Sequence, residues 1–365
     1  MTSRPSSKSS CVSNATTEAF LRNVWYPVAW EREIGEAPHA ARLLGERVVL
    51  YRRTDGSYAA LHDACPHRMT PLSLGRVRGD NIECGYHGLM FDCAGACVKA
   101  PTNGTIPAGA VVQSYPVEAR YGLVWIWMGE PAGADPVNIF HVEHWDDPAW
   151  GTTVGDDMVV DCNYLYITDN LLDPSHVAWV HPGSFAGEGA DETPMQMTVA
   201  DDGITTWRWM LDAPPAPFYA PYLEFEGNCD RKQQYEVRYP SLALIKAYFS
   251  PAGTGGEDKP LYAKTFIMDS YNFLTPIDHH TTRYFWFQQR NVAPNDDDVS
   301  VRFAASVRGA FEEDKAILTA MQRGIDESTT PTINLRSDTS GIRFRRRLAQ
   351  LIEAEHGQTK GLPQS

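Results

Sequence analysis

The chain has 365 residues and a formal net charge of −14, with 32 Lys and Arg against 46 Asp and Glu. That balance argues against a nucleic-acid binder, because phosphate contacts need clustered Lys and Arg, and no apolar run approaches the roughly 18 residues of a membrane span. With 43% hydrophobic residues, 10 Trp, 16 Tyr and 14 Phe, there is ample material for the cores of about two domains.

Residues 1–19 are rich in Ser and Thr and lack the apolar h-region of a secretory signal, so a disordered tail on a cytoplasmic protein is expected. From Trp25 to about Met128 short strand patterns alternate with turns: ERVVLYRR, SYAALHD, NIECGYHGLMFD and YGLVWIWM. They predict a small all-β domain over residues 20–135. Within it lie Cys65 and His67, then Cys84 and His87, a C-x-H pair and a C-x-x-H pair with sixteen residues between them. Each loop offers one sulfur and one nitrogen, which suits a Rieske [2Fe-2S] centre with both Cys on one iron and both His on the other. Zinc is the alternative, although structural zinc modules more often use C-x-x-C with H-x(3–5)-H. Pro66 stiffens the first loop, and Gly85 and Gly88 let the second approach closely. Cys93 and Cys97 follow the cluster motif and are expected to be buried structural thiols.

The segment GEPAGADP, residues 129–136, breaks the pattern and opens a connector over 136–154, where His141 and His144 are expected at the surface. A second domain over 155–365 then shows MVVDCNYLYIT, KQQYEVRYP, LALIKAYFS, LYAKTFIMDSYN and TTRYFWFQQRN as successive strands. A run of strands without alternating helices predicts an antiparallel sheet, and so an α+β fold. Helices are predicted over 298–325 and 342–355, and the run Arg343, Arg345, Arg346 and Arg347 marks a solvated helix face.

His176 and His181 stand five apart in DNLLDPSHVAWVHPGSF, which on an unbroken helix would turn them about 140° from each other. Pro182 biases His181 toward an extended conformation, so the helix is expected to end there and both imidazoles can face one point. Alone, two such histidines read as core or surface residues. The C-terminal helix supplies a third partner: Phe303, Val307, Phe311, Leu318, Met321 and Ile325 form an apolar stripe on which Asp314 falls, while Glu312 and Glu313 fall off it and should be solvated. A carboxylate on a buried face needs a partner or a cation. A salt bridge would serve; with the two histidines, a 2-His-1-carboxylate Fe(II) site is the alternative.

The chain resembles the oxygenase components of Rieske non-haem iron oxygenases, in the branch containing vanillate O-demethylase and dicamba monooxygenase. The likeness spans about residues 20–356 and is carried by WYPVAW, CPHRMTPLSLG, CGYHGLMFD, DNLLDPSHVAWVH, AFEEDK and NLRSDTSGI. It implies an N-terminal all-β Rieske domain followed by a helix-grip type antiparallel-sheet domain with flanking helices. It also implies His176, His181 and Asp314 as iron ligands, and Asp173 as an electron-transfer bridge to His87 of a neighbouring subunit in a head-to-tail homotrimer. Asp173 followed by Pro174 is also a helix start. Electrons from NAD(P)H would arrive through a separate flavin and iron–sulfur reductase, with a ferredoxin as a further possible carrier and O₂ as co-substrate; no flavin or nicotinamide motif occurs in the chain.

The expected reaction is O-demethylation, or methyl or ring hydroxylation, of a small aromatic acid. Asn170, Ile245, Tyr248, Phe266, Phe285 and Trp286 are candidate pocket residues, although such residues in strands also form simple core. Lys246, His280 and Arg283 are candidates for a substrate carboxylate or for solvated surface, and FAGEGADE and PAGTGGED for mobile covers or plain loops. The alternatives are a ring-hydroxylating mono- or dioxygenase of an aromatic or arylsulfonate substrate without demethylation, and a Rieske electron carrier fused to a non-catalytic binding domain.

Overall fold

A computed structural model describes residues 20–187 and 192–359. The N-terminal part consists of β1 (Trp25–Trp30), β2 (His39–Leu43), β3 (Glu46–Arg52), β4 (Tyr58–His62), β5 (Arg76–Arg78), β6 (Asn81–Glu83), β7 (Met90–Phe91), β8 (Cys97–Lys99), β9 (Ser114–Tyr115), β10 (Val117–Arg120) and β11 (Leu123–Trp127). These form three antiparallel sheets, ordered β1-β11-β10, β2-β3-β4-β9 and β5-β6-β7-β8. The first rests on the rest of the chain through the wholly buried LVWIW run of β11.

The C-terminal part contains β12 (Gly151–Thr152), β13 (Asp156–Val160), α1 (Tyr164–Leu172), α2 (Val177–Val180), β14 (Gln196–Val199), β15 (Gly203–Ala213), β16 (Cys229–Arg238), β17 (Leu242–Pro251), β18 (Phe266–Pro276), β19 (Thr282–Arg290), α3 (Asp297–Glu327) and α4 (Thr339–Thr359). Its strands build one eight-stranded antiparallel sheet, in which both β12 and β13 pair with β19 and the order then runs β18-β17-β16-β15-β14.

Both faces of this sheet are covered, and strand alternation assigns residues to each. On β17, Ala243, Ala247 and Phe249 join the core beneath the helices. Leu242 and Leu244 join Trp25, Trp125, Phe273 and Phe285 under the sheet of β1, β10 and β11. Trp125 meets Phe273 edge-on with ring centroids 5.2 Å apart.

Several expectations are corrected. The predicted strand over 158–168 stops at Val160, because the Asn163 side chain accepts from Leu165 N–H at 2.9 Å and caps α1. β15, an 11-residue strand, lies where none was predicted. The buried stripe of α3 runs through Val299, Phe303, Val307, Ala310, Asp314, Leu318 and Gln322, so Met321 is exposed in place of its neighbour. Cys97 is buried but Cys93 is exposed. Arg345 is not simply solvated: its Nε donates to Asp169 Oδ1 at 3.0 Å and ties α4 to α1. The predicted tail over 1–19, with Cys11, lies outside the described residues. Among those residues no helix is long and apolar enough to cross a membrane.

Candidate functional site

The two cluster loops share one backbone pattern. Cys65 N–H donates to Thr70 C=O and Met69 N–H to Cys65 C=O, both at 2.8 Å; Cys84 N–H donates to Leu89 C=O at 2.8 Å and Gly88 N–H to Cys84 C=O at 3.1 Å. Two glycines allow the loops to touch. A Cβ on Gly75 would lie 2.0 Å from Glu83 C=O, and one on Gly85 2.8 Å from Leu74 C=O. Cys65 and Cys84 are buried, and the rings of His67 and His87 stand 4.7 Å apart. Burial, followed by the neighbouring Cys84, pushes the Cys65 thiol up to about 11. His87 Nδ1 is buried without a hydrogen-bond partner among the described residues. Two close buried sulfurs with an orphaned imidazole nitrogen suit a Cys₂His₂ iron–sulfur cluster.

The second constellation forms where α1 and α2 meet α3. Ligand atoms of His176, His181 and Asp314 all lie within 4.8 Å of one another. His176 Nε2 is 3.6 Å from Asp314 Oδ1 and His181 Nε2 is 3.2 Å from Asp314 Oδ2. The other nitrogen of each ring is taken, by Asp173 C=O at 2.7 Å for His176 and by Glu313 Oε2 at 2.7 Å for His181. Asn170 Nδ2 donates to Asp314 Oδ1 at 3.2 Å. Burial lowers the His176 pKa. For His181 burial also acts downward, but the hydrogen bond and charge of Asp314, then those of Glu313, outweigh it and raise the value. Two imidazoles and a carboxylate that converge from one side, each ring oriented by its far nitrogen, suit a facial mononuclear iron site.

Glu313 is therefore not simply solvated. No periodicity signal marked it, because it reaches sideways from the edge of α3. Asp173 accepts from Ser175 N–H at 3.0 Å, the capping role, and lines a surface depression with Arg208 and Arg336.

A cavity opens onto the triad. Asn170, Leu171, Val177, Phe185 and Tyr219 line it from the helices and loops; Gln233, Tyr235, Ile245, Met268 and Ser270 line it from the sheet; Phe311 lines it from α3. Of the predicted pocket residues, Asn170 and Ile245 are present. Tyr248 and Phe285 are not, because strand alternation turns them to the opposite face, where Phe285 packs with Trp30. Phe266 and Trp286 share the cavity's side of the sheet but are spent as packing, against Tyr219 and Phe311 respectively. Gln233, Tyr235 and Ser270 were missed; the signal was a polar residue at inward strand positions, legible only once the register is known.

The cationic candidates are engaged elsewhere. Lys246 is among the residues lining the cavity, but its Nζ lies 3.1 Å from Glu143 and 3.5 Å from Asp269; Arg283 binds Asp157 and Glu33, and His280 is exposed beside Asp326. The loop 251–258 is pinned where Gly255 N–H donates to Asp230 Oδ2 at 2.8 Å; the loop 185–192 includes residues outside those described.

Residues 24–116 match the Rieske [2Fe-2S] domain, and residues 160–354 match the vanillate O-demethylase oxygenase C-terminal domain. The chain is 36% identical over 345 residues to the iron-sulfur subunit of a toluene-4-sulfonate monooxygenase system from Comamonas testosteroni, covering 93% of this chain and 99% of that one. It is 33% identical to a vanillate O-demethylase oxygenase subunit from Pseudomonas sp., covering 92% and 96% respectively. The crystal structure of dicamba monooxygenase bound to 3,6-dichlorosalicylic acid superposes with a TM-score of 0.85 at 32% identity, over 92% of this chain and 99% of that one. With two donor sets that fit a cluster and a single iron, the chain belongs to the Rieske non-haem iron oxygenases, as an oxygenase component of the vanillate O-demethylase and dicamba monooxygenase branch.

Proposed function

We propose that Cys65, His67, Cys84 and His87 hold the [2Fe-2S] cluster, that His176, His181 and Asp314 hold the mononuclear iron(II), and that the chain oxidises a methyl or methoxy carbon on a small aromatic acid. The observation that carries this reading is the convergence of the triad on the wall of an apolar cavity. When bound, the cluster supplies single electrons and the iron activates O₂.

The chain's own residues prepare that chemistry. Asp173 C=O and Glu313 fix the tautomers of His176 and His181, so that each presents Nε2. The Asn170 amide steadies one Asp314 oxygen. Phe185, Ile245, Met268 and Phe311 wall the cavity, exclude bulk water and give a flat ring apolar contacts. The relatives named for toluene-4-sulfonate, vanillate and dicamba support an aromatic anion as the substrate class.

The same reading includes a separate reductase for NAD(P)H electrons. It also includes a head-to-tail homotrimer, in which Asp173 of one subunit meets His87 of the next. Asp173 supports this by lying in an open surface depression, and His87 by its Nδ1 being turned inward, which leaves the other edge of the ring for a partner.

Iron analysis and EPR on anaerobically purified protein test the metal assignment: three irons per chain are expected, with one lost in His176→Ala. Two irons per chain and no substrate-dependent O₂ uptake would instead describe an electron carrier. A reductase-coupled screen of methoxybenzoates, toluates, arylsulfonates and phenoxybenzoates, read by O₂ uptake and formaldehyde, tests the substrate class. Formaldehyde release separates demethylation from hydroxylation without demethylation.

A further inference from the structure

Two polar side chains on the sheet side of the cavity, Gln233 and Ser270, are turned to donate. Arg208 Nε donates to Gln233 Oε1 at 2.9 Å. A guanidinium can only donate, so the amide oxygen of Gln233 must face Arg208 and its NH₂ must turn away. That NH₂ has no partner among the described residues, and Gln233 lines the cavity. Ser270 shows the same polarity. Its Oγ accepts from Asn272 Nδ2 at 3.3 Å and Gln288 Nε2 at 3.2 Å, which occupies both lone pairs and leaves its O–H to donate into the cavity. The amides behind it are oriented in turn: Asn272 Nδ2 also donates to Ser270 C=O at 2.8 Å, and Thr153 Oγ1 donates to Gln288 Oε1 at 3.1 Å.

Register fixes where these donors stand. Tyr235, Ile245 and Ser270 form one row across β16, β17 and β18, and Gln233 lies in the next row beside Ala247. Two strand spacings place the β16 and β18 edges about 10 Å apart, a span that matches the long axis of a benzene ring with a substituent at each end. Among the described residues lining the cavity Lys246 is the only Lys or Arg, and its Nζ is held by Glu143 and Asp269.

We infer that Gln233, backed by the buried Arg208 guanidinium, binds the substrate's oxyanion, a carboxylate or sulfonate, through a neutral amide donor. Ser270 takes a second oxygen acceptor across the ring. Arg208 acts by orienting and polarising the amide and is a positioning residue. This inference rests on the oxygenase reading above and goes further by naming the group that recognises the acid.

The test is calorimetric titration of the oxidised holoenzyme with ring-matched probes: 4-methoxybenzoate, 4-methylbenzenesulfonate, neutral 4-methoxytoluene and cationic 4-methoxybenzylamine. Wild type should bind the two anions and discriminate against the amine. Gln233→Glu is nearly isosteric and keeps its partner Arg208, but presents a negative oxygen to the cavity. It should weaken both anions by at least about tenfold while moving 4-methoxytoluene less than about twofold. Gln233→Met, which deletes the donor, should follow the same order and serves if the Glu variant misfolds. Ser270→Ala should weaken 4-methoxybenzoate a few-fold. Wild-type anion binding in both Gln233 variants overturns the inference, as does equal binding of amine and anion, or no anion binding at all. The iron count is independent: three irons with unchanged anion binding in the variants sinks this inference alone, whereas two irons in wild type sinks the oxygenase reading.

Discussion

His181 Nδ1 stands 2.7 Å from Glu313 Oε2, while its Nε2 stands 3.2 Å from Asp314 Oδ2. Two consecutive carboxylates of α3 therefore meet opposite edges of one imidazole. The outer one holds the proton on Nδ1 and leaves Nε2 with its lone pair toward the triad, the arrangement that raises ligand basicity. Glu313→Gln should keep the hydrogen bond but lose the charge, and Glu313→Ala should lose both. Graded loss of the mononuclear iron is expected during dialysis against a chelator, with affinity down on the order of 10–100-fold in the Ala variant. The cluster absorption is the internal control. Retention of iron at the wild-type rate in Glu313→Ala would show that the contact is incidental.

The difference between Asp314 and Glu313 shows where legibility in the sequence stops. Asp314 interrupts an apolar period, and its 8% exposure follows from that position. Glu313 is off the period, and its partner is contributed by a turn 132 residues away. Cys65, His67, Cys84 and His87 were legible because each pair is local to one loop. Gln233 and Ser270 were not, because a strand sequence does not say which of its two faces lines the cavity. Tyr248 and Phe285 failed for the same reason: their chemistry suited a pocket, but the pleat turned them to the other face. The misjudged strand over 158–168 turns on Asn163, whose cap hydrogen bond outweighs the β-forming Tyr and Ile residues that follow.

Asp173 has two roles to separate. Its carboxylate already caps the turn at Ser175, and an amide can accept the same hydrogen bond. Asp173→Asn should therefore fold, retain three irons per chain and keep the cluster spectrum, yet lose reductase-coupled turnover by several orders of magnitude. Single-turnover reduction of the cluster should proceed normally, while oxidation of the prereduced cluster on adding substrate and O₂ should stall. Normal coupled turnover in this variant would remove the proposed bridge to His87 of a neighbouring subunit.

On the far face of the sheet, Asp269 is fully buried and its carboxylate has no hydrogen-bond partner among the described residues beyond the charge of Lys246 at 3.5 Å. Burial raises its pKa from 3.8 to about 6 despite Lys246. The folded chain thus holds this proton more tightly than the unfolded chain, so the contribution to stability is present below about pH 4 and is lost as pH rises through about 6. Glu143 shifts in the opposite direction, its pKa lowered by Lys246, so its contribution is lost only as pH falls below about 4.5, outside the range between pH 5 and 7. The loss on going from pH 4 to 7 is on the order of 2–3 kcal/mol. Asp269→Asn should flatten the dependence of Tm on pH between 5 and 7 relative to wild type. Parallel curves for the two proteins would mean that Asp269 stays ionised throughout.

The cluster loops depend on a contact that only glycine permits. A Cβ on Gly75 would sit 2.0 Å from Glu83 C=O and 3.0 Å from Leu72 C=O, both backbone atoms that cannot swing aside. Glu83 directly precedes Cys84, so relieving the overlap displaces that sulfur from the position opposite Cys65. Gly75→Ala should cost about 3 kcal/mol locally, as overpacking of a well-packed site does. The visible Rieske absorption should bleach and iron should fall from three per chain toward one, because the triad on α1, α2 and α3 is untouched. Gly35→Ala is the matched control, since a Cβ there meets nothing within 4 Å. If Gly75→Ala keeps its full cluster spectrum, the loops can separate without losing the metal, and their close approach serves packing alone.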